Sequence, residues 1–323
     1  MDSGKYISIF LLICSSAFGQ GKVELNQFYP IDAGHSYIEF SITYMGYARV
    51  KGRFSDFSGM IRYDEKNPLA TSASIAIKTE SIHTDLEFRD NDLKSANWFD
   101  AAAHPVITFI STKMTPEKEG FSLIGDLTIK GVTHEVTLKL AKPSGVIKDI
   151  RGDTQVIFTG TTSLDRTTFG VEGKNWSAVK EGMTAVSKEV AIEVSVLGKQ
   201  FEVPNYQNFV KFTKGAAGIY KTVNERGVDA GLTFFKKFVD EKTADVNMLG
   251  MAGKLLRMEG KLPEAKRILE ANREAFPDKA EVYFSLGELA LQQGDRQSAK
   301  MNFQEALRIE PTDVRAAEIL RHL

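Results

Sequence analysis

From Phe28 to about Lys199 apolar and polar residues alternate along the chain. SYIEFSITY sets Ile38, Phe40 and Ile42 on one face and Tyr37, Glu39, Ser41 and Thr43 on the other. FSLIGDLTIKGVTHEVTLKLAK gathers Phe121, Leu123, Leu127 and Ile129, turns at Lys130-Gly131, then brings Val136, Leu138 and Leu140 into register. A period of two bounded by Gly, Pro, Asp and Asn is a strand signature. TSASIAIKT, HPVITFIST, DTQVIFTGTTSLD and EVAIEVSVLGK repeat it. About eight such runs predict an all-β antiparallel sandwich or barrel. One interruption, residues 85–105, predicts a short helix and a loop. The basic run GYARVKGRFSDFSG, residues 46–59, lacks the tight glycines and following helix of a phosphate loop. It continues as SGMIRYD and reads as two curved strands.

After Phe201 the period lengthens. AEVYFSLGELALQQGDRQSAKMNFQEALRIEP, from Ala280, has helical spacing broken at Gly294-Asp295. A step back of 34 residues sets Gly253 on Gly287, Ala265 on Ala299, Leu269 on Phe303 and Pro277 on Pro311. A helix-turn-helix of this period resembles the tetratricopeptide repeat. The expected repeats are a degenerate 212–245, with Gly231 and Phe235 at matching positions, then 246–279 and 280–313, closed by a cap over 314–323. Ala252 and Asn272 depart from the pattern in the middle repeat. Three units and a cap can cover apolar faces that two could not. Residues 201–211 are the expected linker between the β-domain, 28–200, and the repeats.

At 323 residues the chain has room for both domains. Its 41 lysines and arginines balance 42 acids, so charge gives no reason to expect nucleic acid or an anionic surface as partner. Residues 1–19 read as a signal peptide: Lys5, an apolar run from Tyr6 to Ile13, then Ala17-Phe18-Gly19 before cleavage. The run is too short to span a bilayer, so no transmembrane segment is expected and the protein should be exported, to the periplasm. The single cysteine, Cys14, falls inside that signal and leaves the mature chain without a thiol. An alternative makes Cys14 the acylated first residue of a lipoprotein, although Ile13 stands where such signals use a small side chain.

Candidate chemistry is sparse. His35, His83, His104, His134 and His322 show no metal-ligand spacing, so no metal or cofactor is expected. His35 and Ser36 are strand neighbours whose side chains point apart. No dinucleotide, phosphate-loop or nucleophile-elbow pattern occurs, and no catalytic residues are assigned; the chain does not read as an enzyme. Aromatic residues are the surplus, with 21 phenylalanines in all. In a small barrel they either fill the interior or line a cavity for one elongated ligand.

The segments FYPIDAGHSYIEFSI, GYARVKGRFSDFSGMIRYD, SIHTDLEFRDNDLKSANWFD, HPVITFIST, GDLTIKGVTHEVTL and LDRTTFGV resemble, in order, the YceI-like family over about residues 28–199. That resemblance implies a lipocalin-like barrel holding a polyisoprenoid or related amphiphile in an internal pore. The pore candidates it implies here are Phe40, Ile42, Tyr44, Phe54, Phe57, Trp98, Phe99, Phe109, Phe158 and Phe169, with Gly52 and Gly59 permitting curvature. Two positions depart: Tyr44 stands where many members carry histidine, and Asp92-Leu93 where many have His-Leu. A haem or metal role through those histidines has no basis in this chain. The expected whole is an exported lipid-binding barrel joined to repeats that dock a protein or peptide. The alternative is an interaction protein with a filled barrel, its function carried by the repeats.

Overall fold

The computed structural model describes residues 23–323 apart from 174–175, 177–178, 181–182 and 212. The expected signal peptide, with Cys14, lies outside the described residues. The chain divides into a β unit, Asn26–Phe209, and a helical unit containing Val210–Leu323.

The β unit opens with β1 (Phe28–Pro30), β2 (Tyr37–Tyr44), β3 (Ala48–Phe54), β4 (Phe57–Arg62), β5 (Ser72–Lys78) and β6 (Ile82–His83). Helix α1 (Glu87–Lys94) occupies the interruption read between 85 and 105. Then come β7 (Val106–Glu117), β8 (Gly120–Ile129), β9 (Val132–Leu140), β10 (Ile147–Lys148) and β11 (Thr154–Asp165). A small hairpin of β12 (Val179–Lys180) and β13 (Met183–Thr184) precedes the long β14 (Val186–Gln200).

The main sheet is antiparallel throughout, in the order β1-β4-β5-β7-β8-β9-β11-β14-β2-β3-β6, with β10 on β11. It curls so that each end returns to the sheet. Just past β1, Ile31 bridges Gly198 on β14, and the Asp32 N–H donates to Leu197 O at 2.8 Å. At the other end β6 continues the course of β5 and pairs with β3 through Phe54 and Ile82. Closure removes exposed sheet edges. Alternation puts one face of each strand inward: Ile38 lies opposite Phe54 and Phe40 opposite Gly52. Gly52 and Gly59 matter for close approach as well as bending. A Cβ on Gly52 would strike the Phe40 ring, and one on Gly59 would sit 2.6 Å from both Ser74 O and Ile31 Cδ1.

The β8–β9 turn falls at Lys130-Gly131, both with positive φ (54° and 76°), as a two-residue hairpin requires. A lysine there is strained. Its Nζ offsets that by donating to Trp98 O and Gly170 O, at 2.8 and 3.1 Å. Inside the barrel two apolar clusters form. One is built on Phe54, Phe57, Ile77, Trp98 and Phe169, the other on Ile61, Tyr63, Leu123, Leu140 and Phe158. Ile31, Phe109 and Val194 pack against both.

Within residues 201–211, the expected linker, α2 spans Val203–Lys211. Asp153 explains its start. This buried carboxylate accepts from Glu202 N–H at 2.8 Å and Asn205 Nδ2 at 2.7 Å, while Tyr206 is buried.

The helical unit continues with α3 (Lys214–Arg226), α4 (Val228–Asp240), α5 (Val246–Met258), α6 (Leu262–Ala275), α7 (Ala280–Gln292), α8 (Arg296–Ile309) and α9 (Val314–Leu320). These are three consecutive helical hairpins and a terminal helix, in the register of the 34-residue period. The equivalent set Gly231, Ala265 and Ala299 is buried, as is the set Phe235, Leu269 and Phe303. Gly253 on α5 and Gly287 on α7 leave the room that Leu269 of α6 and Phe303 of α8 take.

Candidate functional site

A cavity of about 420 Å³ lies within the upper barrel. Its walls come from β2 (Ile38, Phe40, Ile42, Tyr44), β3 (Val50, Phe54), the loop after α1 (Trp98, Phe99) and β14 (Val190, Ile192). A second void of about 120 Å³ lies below, lined by Ile61, Ala73, Phe109, Leu123 and Phe158 among others. Ile38, Ile77, Leu127 and Ile192 line both. The barrel is therefore not filled, against the alternative expectation.

Of the ten aromatic and aliphatic pore candidates, Phe40, Ile42, Tyr44, Phe54, Trp98 and Phe99 line the upper cavity. Phe109 and Phe158 line the lower one. Phe57 and Phe169 line neither of these two cavities. Phe57 follows the turn that ends β3, starts β4 opposite Ile77, and is packed into the upper core. Phe169 is 1% exposed and meets the His134 ring edge-on at 4.9 Å. It fills the region beside β9 and β11, which pair through Gly160–Leu140 and Thr161–Lys139.

The aromatic wall is tightly interlocked. Phe54 meets Phe99 edge-on at 6.0 Å and Phe40 at 5.8 Å. Asp92, a departure noted in the sequence, accepts a 2.9 Å hydrogen bond from Trp98 Nε1 and so satisfies the one polar atom of that indole. The mouth lies at α1, where Leu86 and Phe88 line the cavity yet are 50% and 77% exposed. Beneath them Asp90 anchors the entry loop, accepting from Thr84 N–H, Thr84 Oγ1 and the His83 ring. Burial pushes the Asp90 carboxyl up, but these hydrogen bonds outweigh it and hold it below the usual carboxylate range. Arg89 donates to Thr84 Oγ1 and Thr84 O, closing the same loop.

Arg166 is a polar wall residue that sequence reasoning missed, as are Glu39, Thr84 and Arg89. Arg166 is buried and donates to the carbonyls of Val171, Glu172, Val186 and Ser187, with burial lowering its pKa. Its segment LDRTTFGV stands out in the sequence, but an arginine after a strand reads as solvated until the chain folds back over it. Leu86 and Phe88 were missed for a similar reason, since nothing local shows a helix laid across a barrel mouth.

A curled antiparallel sheet wrapped around an apolar interior is the lipocalin-like class of architecture. Within that class the chain belongs to the YceI-like family, whose domain model matches residues 29–197. It is 36% identical to the UPF0312 protein of Pseudomonas paraeruginosa over 172 residues, covering 53% of this chain and 85% of that protein. It is 34% identical to Protein YceI of Escherichia coli O17:K52:H18 over 174 residues, 53% of this chain and 86% of that one. Among solved structures it is similar to a polyisoprenoid binding domain from Saccharophagus degradans, with 15% identity and a TM-score of 0.38 over 52% of this chain and 96% of that one. These matches fall on about half of the chain.

Proposed function

We propose that the barrel carries a long apolar amphiphile of isoprenoid type, its chain inside the upper cavity and its polar end at the α1 mouth. The observation that carries this reading is the cavity itself: about 420 Å³ of space walled by Phe40, Ile42, Phe54, Trp98 and Phe99. That volume lies within the range of small-molecule sites. An apolar space of this size gains most from an apolar occupant. Each buried methylene contributes roughly 0.8 kcal/mol, so about fifteen carbons give on the order of 10 kcal/mol before ordering costs. Those costs subtract several kcal/mol and leave room for micromolar or tighter binding. The isoprenoid class is what the family resemblance implies; the cavity supports it by shape and chemistry.

The protein acts as an exported carrier, with Lys5, the apolar run to Ile13 and Ala17-Phe18-Gly19 directing it out of the cytoplasm. The three helical hairpins act as tetratricopeptide-like repeats that dock a protein or peptide. Native mass spectrometry of the purified full chain, with solvent extraction and analysis of the extract, tests the carrier reading. The expected result is a lipid adduct that disappears on extraction. A protein that neither carries nor takes up an isoprenoid-like lipid would overturn it.

A further inference from the structure

The two voids in the barrel differ in size and position, and the wall between them is built from opposite sides. Ile38 and Ile192 stand on the neighbouring strands β2 and β14, while Ile77 and Leu127 stand on β5 and β8 with β7 between them. In the strand order β2 and β14 are separated from β5 and β8 on both sides of the ring. These four side chains line both voids and so form the boundary between them, called the waist below. The division recurs in the packing, where two separate apolar clusters meet through Ile31, Phe109 and Val194. The mouth, marked by exposed Leu86 and Phe88, belongs to the upper cavity. The lower chamber is walled by buried Ile61, Ala73, Leu123, Leu140, Phe158 and Val196.

We infer that the lower chamber is a subsite for the far end of the ligand chain, and that the waist and Ala73 below it set the chain length the protein accepts. The inference rests on the carrier reading above. Volume gives it a scale: the upper cavity, about 420 Å³, takes the greater part of a chain. The lower chamber, about 120 Å³, is more than threefold smaller and suits a short chain end such as one isoprene unit. A chain that fills the upper cavity gains by one further unit, which must pass Ile38, Ile77, Leu127 and Ile192. Ala73 is the smallest side chain facing the lower chamber, so it leaves the space a larger residue would take.

The test uses the full chain stripped of bound lipid, titrated with farnesol and with geranylgeraniol, which is one isoprene unit longer. Trp98 fluorescence reports binding, since that ring lines the upper cavity. Wild type should bind geranylgeraniol more tightly than farnesol. Ala73→Leu fills the lower chamber and should weaken geranylgeraniol about tenfold while changing farnesol less than about twofold. Ala73→Val, less bulky and well suited to a strand, is made alongside and should shift the same ratio less, so a folded variant is available if the leucine is not tolerated. Circular dichroism checks each fold. Binding of both alcohols unchanged, or weakened equally, by folded variants would overturn the chamber's role and leave the carrier reading standing. If wild type binds neither alcohol, the carrier reading falls and the inference falls with it.

Discussion

The guanidinium of Arg166 lies over the indole of Trp98, 5.0 Å from the ring centroid, at the wall of the upper cavity. One face of the cation meets an aromatic ring while its N–H groups meet backbone carbonyls of Val171, Glu172, Val186 and Ser187. The charge is thereby held in an apolar barrel wall by a ring and by carbonyl oxygens. The same hydrogen bonds tie the turn after β11 to the start of β14.

Arg166→Met keeps the apolar stem and removes the donors. Four carbonyls then lose a partner where water has little access. We expect a loss of at least about 2 kcal/mol in stability, read from urea denaturation followed by near-ultraviolet circular dichroism of the β unit. Arg166→Lys should restore only part of it, because one ammonium cannot span all four oxygens. An Arg166→Met protein as stable as wild type would show that these bonds contribute little.

Phe54 tests the cavity directly. It is buried, lines the upper cavity and locks Phe40 against Phe99. Phe54→Asp puts an unpaired carboxylate against an apolar chain and should reduce extractable lipid about hundredfold or abolish it. Phe54→Leu keeps most of the apolar volume and should retain both fold and lipid. A folded Phe54→Asp protein carrying wild-type lipid would remove Phe54 from the binding wall.

Much of this architecture can be read from local pattern. Alternation through Ile38, Phe40 and Ile42, the turn at Lys130-Gly131 and the 34-residue spacing of Gly253 and Gly287 each report a neighbour within one or two elements. What could not be read is convergence. Phe54 and Phe57 look equivalent in the sequence, yet the intervening turn places one against the cavity and the other in the core. Phe169 has the same composition signal as Phe158, but it packs on His134 beside a gap in strand pairing. Residues 201–211 carry a proline and two asparagines and read as a linker. They became helical because Asp153, about fifty residues earlier, offers a buried acceptor.

That Asp153 site predicts a pH dependence. Burial pushes its carboxyl up, but hydrogen bonds from Glu202 N–H and Asn205, with Lys199 Nζ 3.0 Å away, outweigh it and hold its pKa below the ordinary value. A depressed carboxylate contributes stability that is present above its unfolded pKa of about 3.9 and is lost as pH falls through the folded value. Lys199, raised by Asp153 and Asp149 despite its burial, contributes stability below about pH 10 that is lost at higher pH. Urea midpoints measured across this range should fall on both limbs. Asp153→Asn should be less stable at pH 7 and show a shallower acid limb; an acid limb identical to wild type would place the titrating group elsewhere.

The helical unit can be tested where its period is tightest. A Cβ built on Gly287 would stand 2.7 Å from the ring of Phe303, and one on Gly253 would stand 2.6 Å from Leu269. These two glycines are one repeat apart, and so are the side chains they admit. Gly287→Val should therefore force α7 and α8 apart, costing about 1–3 kcal/mol through overpacking. The ring of Phe303 is fully buried and has little room to yield. Phe303→Leu, the residue that Leu269 supplies one repeat earlier, should recover part of that loss when combined with Gly287→Val, although alone it leaves a cavity. Helical ellipticity at increasing temperature reads the effect. If the double variant is no more stable than Gly287→Val alone, contact with Phe303 does not limit the helix pair, and the close approach seen at Gly287 is not what sets the spacing of the repeats.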